Sequence, residues 1–414
     1  MSTSFRGKSF EVVIIGGGLV GATMAVALAR AGRSVAVVEA QARPQTDSQP
    51  VRSAPSSHDD RTLVINAASL NILNRLELLP DATACCPIST IDITRQGGFG
   101  TLTLNAADHG RSEFGQVVVA RELGRVALSA LSAHDHVTEF CPDRLREWTS
   151  ESDHLVITLE SGTQLSAKLL IGADGNDSLV RGQAGLACQR HEYQQSAMIF
   201  NVVPERPSQS TAHERFTPQG PLALLPQPAG RLGVVWIDAD KGIDQAMALD
   251  DQALCDQLHQ RFGNSLGRFS QAGKRARYPL IRQRTPHPIG ERVVVIGNAA
   301  TAVHPVSAQG FNLGLRDVAG LIDALNEQND PGSHDALSTY AQSRREDQAA
   351  TVRYTDTLAR AFTNPSRIAR AASGLGLVAH AGLPGLRHRL VHAAMGFRHP
   401  VASLARPEQG QHNA

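Results

Sequence analysis

Residues 10–40 constrain the fold more than any other stretch. An apolar β-branched run, Val12 to Ile15, enters a turn containing Gly16, Gly17 and Gly18. An alanine-rich helical pattern follows from Leu19 to Ala31, then a second strand-like run, Ser34 to Val38. The switch from strand to helix and back predicts a βαβ unit opening the chain. Gly16, Gly18 and Gly21 stand in the G-x-G-x-x-G register, and each spacing has a physical reason. One glycine permits the tight turn, one lets a pyrophosphate approach the backbone, and one lets the helix pack closely on the strand. The helix N-terminus meanwhile offers free N–H groups and partial positive charge to the phosphates. Glu39 closes the second strand. A carboxylate there can accept adenosine ribose hydroxyls, which favours FAD or NAD over a 2′-phosphorylated nucleotide. Gly374 to Ala379 nearly repeats the pattern but no apolar strand precedes it, so that copy reads as helix or turn.

The remaining composition narrows the class. A chain of 414 residues, 42% hydrophobic and 19% charged, can bury a large core divided among roughly two or three domains. A formal net charge of +1 without a polybasic block argues against a nucleic-acid partner. Cys85, Cys86, Cys141, Cys188 and Cys255 form no CxxC pair, which fits a reducing cytoplasm. Neither a signal-peptide pattern nor a run of about 18 uncharged apolar residues is present, so the expected location is cytoplasmic.

The polar stretch Gln41 to Asp60 reads as a mobile surface loop and a helix is expected around Ala67 to Leu78. Between Pro87 and Leu104 the alternation suggests strands of a second sheet, and Arg121 to Leu131 looks helical. Strand-like runs recur at 155–159, 169–171, 197–203, 221–225, 233–237 and 292–296, and the pattern from Phe311 to Phe362 is helical with a break near Pro331. The expected architecture is α/β. A Rossmann-like FAD-binding domain (residues 1–86, 106–186 and 285–362) carries an inserted, mainly antiparallel substrate domain (87–105 and 187–284), and a basic helical region (363–414) ends the chain.

Two further segments choose between FAD and NAD. Leu170-Ile171-Gly172-Ala173-Asp174-Gly175, followed by Ser178 and Arg181, is one. The other is Gly297-Asn298-Ala299-Ala300 with His304, Pro305, Gln309, Gly310, Asn312, Gly314 and Asp317. Together with the glycine turn, they resemble the para-hydroxybenzoate hydroxylase family of FAD monooxygenases over roughly residues 10–362. Within that family the likeness is nearest to the ubiquinone-biosynthesis hydroxylases of polyprenylated phenols. The shared features are the Gln309-Gly310-Phe311-Asn312 run, the segment Gly220 to Pro226, and Tyr340, Arg344, Asp347 and Asp356. The resemblance implies that Gly16, Gly18, Gly21, Glu39, Arg61, Arg121, Asp174, Asn298, Gln309, Gly310 and Asn312 contact FAD, and that Pro305 borders the isoalloxazine and the substrate. Asn298 stands where the wider family has Asp. Ser307-Ala308 stands where the subgroup has a small residue and Gly, which bears on the backbone path beside the flavin.

In such an enzyme NAD(P)H reduces the flavin, dioxygen adds to give a hydroperoxide, and the distal oxygen passes to an electron-rich ring. The absence of a convincing catalytic triad, metal cluster or second nucleotide fingerprint agrees with that chemistry, NAD(P)H docking transiently. A phenol reacts better as its phenolate, and His304 is the candidate base, the alternative being a histidine that orients the Pro305 turn. Residues 363–404 hold arginines and histidines but no Asp or Glu. This tail is expected to rest on anionic headgroups at the membrane's inner face, on a partner in a biosynthetic assembly, or on the core. His388 and His392, four apart, read as packing residues. Two other functions stay open at this stage: a flavin oxidoreductase that never activates oxygen, and a non-catalytic FAD-binding assembly partner.

Overall fold

The computed structural model describes residues 7–43, 61–326, 328–363 and 366–407. Most of the polar stretch Gln41–Asp60 lies outside the described residues, as do the side chains of Arg367 and Arg370. The opening strand Lys8–Ile15, the helix Leu19–Arg30 and the strand Val35–Val38 form the expected βαβ unit, with Val12 opposite Val35 in parallel register. An eight-stranded sheet grows around it, in the order 289–290, 293–295, 164–172, 8–15, 35–38, 137–140. The strands Leu145–Ser150 and Leu155–Leu159 are added as antiparallel partners beside Gln164–Gly172. The opening strand is apolar on both faces, and alternation sends its residues to two cores. Val12 and Ile14 pack with Met24, Leu28 and Leu315, while Val13 and Ile15 pack with Leu155 and Ile157. Fully burying each such side chain contributes about 1.5–3 kcal/mol, which pins the sheet between its layers.

The second sheet has nine strands, in the order 301–302, 276–284, 189–204, 232–239, 221–226, 211–216, 90–95, 102–105, with 269–270 beside 189–204. Its pairings are antiparallel except that Thr211–Phe216 runs parallel to Thr90–Arg95. Period-2 alternation again divides the residues. Leu222, Leu224, Val234 and Trp236 pack on the helix Asp251–Phe262, while Ala223, Leu225, Val235 and Ile237 face a cavity on the other side.

Cys85–Ile88 belongs to neither large sheet. It pairs with Gly115–Val119, which also pairs with Thr62–Asn66, making a three-stranded sheet that links the two large ones. The expectation of second-sheet strands from Pro87 onward therefore holds only from Thr90. Two long helices, Gln309–Leu325 and His334–Thr363, follow as expected, and two shorter ones, Arg367–Gly382 and Pro384–Ala394, complete the chain. These last helices are packed. Leu377, Val391 and Met395 are buried with Leu102, Phe114 and Phe216. The second glycine copy, Gly374 to Ala379, is helical, as expected. No helix among the described residues is long and apolar enough to cross a membrane.

Candidate functional site

Three loops that are distant in sequence meet at the carboxyl ends of the parallel strands, where open α/β sheets place ligands. Gly16 has φ +104, a conformation that favours glycine, and a Cβ there would sit 2.5 Å from the Ala173 carbonyl oxygen and 2.9 Å from the Asp174 nitrogen. A Cβ on Gly21 would collide with the Gly16 carbonyl oxygen, so helix and strand can approach only because this position is glycine. A Cβ on Gly18 meets nothing within 4 Å. Gly18 is also the N-cap of the helix Leu19–Arg30 and supplies no side-chain cap. The first N–H groups of that helix therefore face open space. Glu39 braces the turn, its Oε2 accepting from Gly17 N–H at 2.7 Å and its Oε1 from Gln41 N–H at 2.8 Å.

Asp174 Oδ2 accepts from Leu179 and Val180 N–H at 2.7 and 3.2 Å, while its Oδ1 is buried and without a hydrogen-bond partner among the described residues. Arg181 ties this segment to the third, donating to the Ala299 and Asn176 carbonyls at 2.9 and 2.8 Å. In that third segment Gly297 has φ +58 and packs on Val20 of the first helix. Its N–H donates to Asp317 Oδ2 at 3.2 Å. Asp317 is fully buried and also accepts from Arg344 Nε at 2.9 Å and Gln348 Nε2 at 3.0 Å. Arg344 and Arg316 both pair with the buried Asp347, each at 2.7 Å. Burial pushes the Asp317 carboxyl upward, with the nearby Arg344 opposing it.

A cavity of about 960 Å³ opens from this junction. Gly18, Arg61, Asn298, Pro305, Gln309 and Gly310 line it, together with the apolar face of the nine-stranded sheet and the C-terminal helices. Arg61 stacks on Tyr278, its guanidinium 4.8 Å from the ring centroid. An open glycine turn, exposed helix N–H groups and an unsatisfied Asp174 oxygen fit a dinucleotide's phosphates and hydroxyls, and the adjoining cavity leaves room for an attached ring system.

Three predicted residues are placed otherwise. Asn312 spends its amide within the protein, Oδ1 accepting from Asn66 N–H at 2.9 Å and Nδ2 donating to the Val64 and Ala308 carbonyls, each at 2.7 Å. It anchors the loop before its helix and is not part of the cavity wall. Arg121 begins its helix half exposed, 3.4 Å from Glu122, and is not among the residues lining the cavity. His304 lies behind the wall, fully buried and edge-on to Tyr193 with ring centroids 5.0 Å apart. Its Nδ1 accepts from Val306 N–H at 3.2 Å, so in the neutral ring the proton sits on Nε2 and no lone pair is left for a phenol. Burial pushes its pKa down to about 4, with Asp356 opposing, which keeps it neutral. The geometry thus supports the turn-orienting role over the base.

The motifs passed over Glu214, the sole acidic side chain lining the cavity among the described residues. The signal was present in alternation: Ala212, Glu214 and Phe216 share one strand face, and a carboxyl between two apolar positions marks an anomaly.

Residues 9–355 match the family described as FAD binding domain. The chain is 32% identical to the ubiquinone hydroxylase UbiL of Rhodospirillum rubrum, over 95% of this chain and 91% of that protein. It is 31% identical to the 3-demethoxyubiquinol 3-hydroxylase of Escherichia coli, over 94% and 98%. Among solved structures, p-nitrophenol 4-monooxygenase PnpA of Pseudomonas putida superposes with a TM-score of 0.75 at 18% identity, covering 95% of this chain and 99% of that one, a likeness of fold. The convergence of the three glycine-bearing loops beside one apolar cavity has its counterpart in this kinship: the chain belongs to the FAD-binding-domain family and is an FAD-dependent hydroxylase.

Proposed function

We propose that this enzyme hydroxylates the aromatic ring of a polyprenylated phenol in ubiquinone biosynthesis, using NAD(P)H and dioxygen. The observation that carries the reading is the cavity's extent. From Pro305 and Asn298 it passes over Ile91, Ile93 and Leu102 to Leu377 and Leu390 of the last two helices, an apolar path suited to a long hydrocarbon tail behind a phenolic head. The relatives named for ubiquinone hydroxylation, aligned over nearly the whole chain, support the same substrate class.

The turn at Gly16–Gly18, Glu39 and Asp174 would hold the FAD pyrophosphate and sugar hydroxyls, with Asn298, Gln309 and Gly310 along the remainder and Arg61 beside the ring. FAD supplies the oxygen transfer when bound. The chain's own part is to exclude water and orient the phenol against the Pro305 wall. We take residues 87–105 and 187–284 as the substrate domain within this reading, and NAD(P)H as a transient visitor, since no second dinucleotide turn lies in the sequence.

The tail helices present Leu375, Val378, Leu383 and Leu386 outward, with Phe99 beside them at Gly374 and Arg389 exposed nearby. An exposed apolar patch edged by arginine favours an anionic bilayer as the source of the prenylated substrate. Leu375→Asp with Leu383→Asp should abolish sedimentation with anionic vesicles while leaving the folded protein yellow. Equal sedimentation would reject the membrane contact.

The substrate reading is tested by removing the gene and identifying the accumulated quinone precursor by mass spectrometry, alongside oxygen uptake by purified enzyme. The expected result is a prenylated phenol lacking one ring hydroxyl and substrate-dependent oxygen consumption yielding the hydroxylated product. Unchanged quinone content and no oxygen uptake would overturn it.

A further inference from the structure

We infer that Glu214 is the base that takes the proton from the bound phenol's hydroxyl, a role resting on the substrate class proposed above. Glu214 stands in the strand Thr211–Phe216, directly opposite Ala223 on one side and Ile93 on the other, and all three line the cavity. Its carboxyl is therefore presented to the substrate space between apolar neighbours. Among the described residues no ion pair engages it. Burying a carboxyl in this way is unfavourable unless something compensates, and a group retained at such expense is a functional candidate.

Glu214 is also near the flavin end. Ala212 and Phe216, its neighbours on the same face, pack with Val306 directly after Pro305. Tyr354, on the long helix His334–Thr363, hydrogen-bonds Ser307; burial raises the tyrosine's pKa, and the Glu214 charge adds to that rise. Strand, helix and Pro305 loop thus surround one small volume.

Desolvation pushes the Glu214 pKa up to about 7. A base of that strength is about half ionised at neutral pH, more so as pH rises, and is much closer to a phenol than an exposed carboxylate would be. In the step, the phenol O–H bond breaks, its electron pair stays on oxygen as phenolate, and the proton forms a carboxyl O–H on Glu214. When the hydroxylated ring regains aromaticity it sheds its C–H proton and its oxygen takes a proton back, so no redox partner is needed. The other titratable groups around this space are few. Arg95 shares the face two positions beyond Ile93, Tyr354 has Arg398 beside it, and Arg61, Tyr278 and His380 lie along the wall. His213 turns its ring to Ser208 and Asp92.

The test uses the intact holoenzyme with a short-chain prenylated phenol and its ring-fluorinated, more acidic analogue. Wild-type kcat should rise with pH through an ionisation near 7. Glu214→Gln should lower kcat by about 100-fold or more, flatten that profile and leave KM within a few-fold. The loss should shrink with the fluorinated phenol, which needs less help to ionise. Glu214→Asp, which keeps a carboxyl, should retain part of the rate and the pH limb, and so separates lost chemistry from lost folding. An unchanged profile in Glu214→Gln, or an equal loss with both phenols, would overturn the assignment. If wild-type enzyme fails to hydroxylate the prenylated phenol, the substrate reading itself falls. If wild type works and Glu214→Gln matches it, only the base is lost.

Discussion

Replacing Asp317 with asparagine probes whether the flavin-side turn is held by a buried charge network. Asp317 accepts from Arg344 and Gln348 on one oxygen and from Gly297 N–H on the other. Asparagine retains one acceptor oxygen. With that oxygen facing Arg344 and Gln348, its NH2 group meets the Gly297 N–H, donor against donor. The cluster also loses one of two anions, Asp317 and Asp347, against two cations, Arg316 and Arg344. Breaking one side of a buried pair costs about 3–5 kcal/mol, and the lost bond to Gly297 adds about 1. A chain of this size gains about 0.9 kcal/mol per kelvin in entropy on unfolding, so Tm should fall by about 4–7 °C. Thermal unfolding followed by tryptophan and flavin fluorescence would show flavin release shifting with, or ahead of, the global transition. A double-mutant cycle sharpens the test. Arg344→Met alone should also destabilise, whereas the double variant should be better than the sum by about 2–3 kcal/mol, because it leaves no unpaired charge. Additive effects, or a shift below about 1 °C for Asp317→Asn, would refute the reasoning.

Other perturbations read separate parts of the structure. Gly21→Ala drives a Cβ into the Gly16 carbonyl and should yield colourless protein, checked by the flavin absorbance of the purified chain. Ala308 holds φ +48, so Ala308→Gly should stabilise by up to about 1 kcal/mol in chemical denaturation, and a loss of stability would count against strain there. The folded chain keeps the Glu214 proton up to about pH 7 while the unfolded chain releases it near 4.5, so this group's burial penalty grows as pH rises between those values. Glu214→Gln should therefore be more stable than wild type by up to about 3 kcal/mol at pH 8 and show no advantage at pH 4.5, cavity water reducing the figure. A pH-independent difference in Tm would contradict the burial.

Local chemistry made the first layer of this protein legible. Only glycine permits the φ of Gly16 and the contact at Gly21, so a strand, three glycines, a helix and a terminal acid specify a dinucleotide turn without reference to the rest of the chain. The apolar runs 221–225 and 233–237 likewise read as strands of an antiparallel sheet, which they are. Pairing across long separations was hidden, because hydrogen-bond partners leave no mark in a short apolar run. Hence the small sheet joining Thr62–Asn66, Cys85–Ile88 and Gly115–Val119 went unseen. Residue type was also insufficient where direction decides. Asn312 and His304 stand in the motif yet turn inward, the Asn312 amide bonded to Asn66 and Val64 and the His304 Nδ1 to Val306. Glu214 resembles any strand carboxylate until the fold encloses it. Side-chain chemistry is written locally, but which groups face the cavity, and how far water is excluded from them, is decided only when sheet, loop and helix close around one volume.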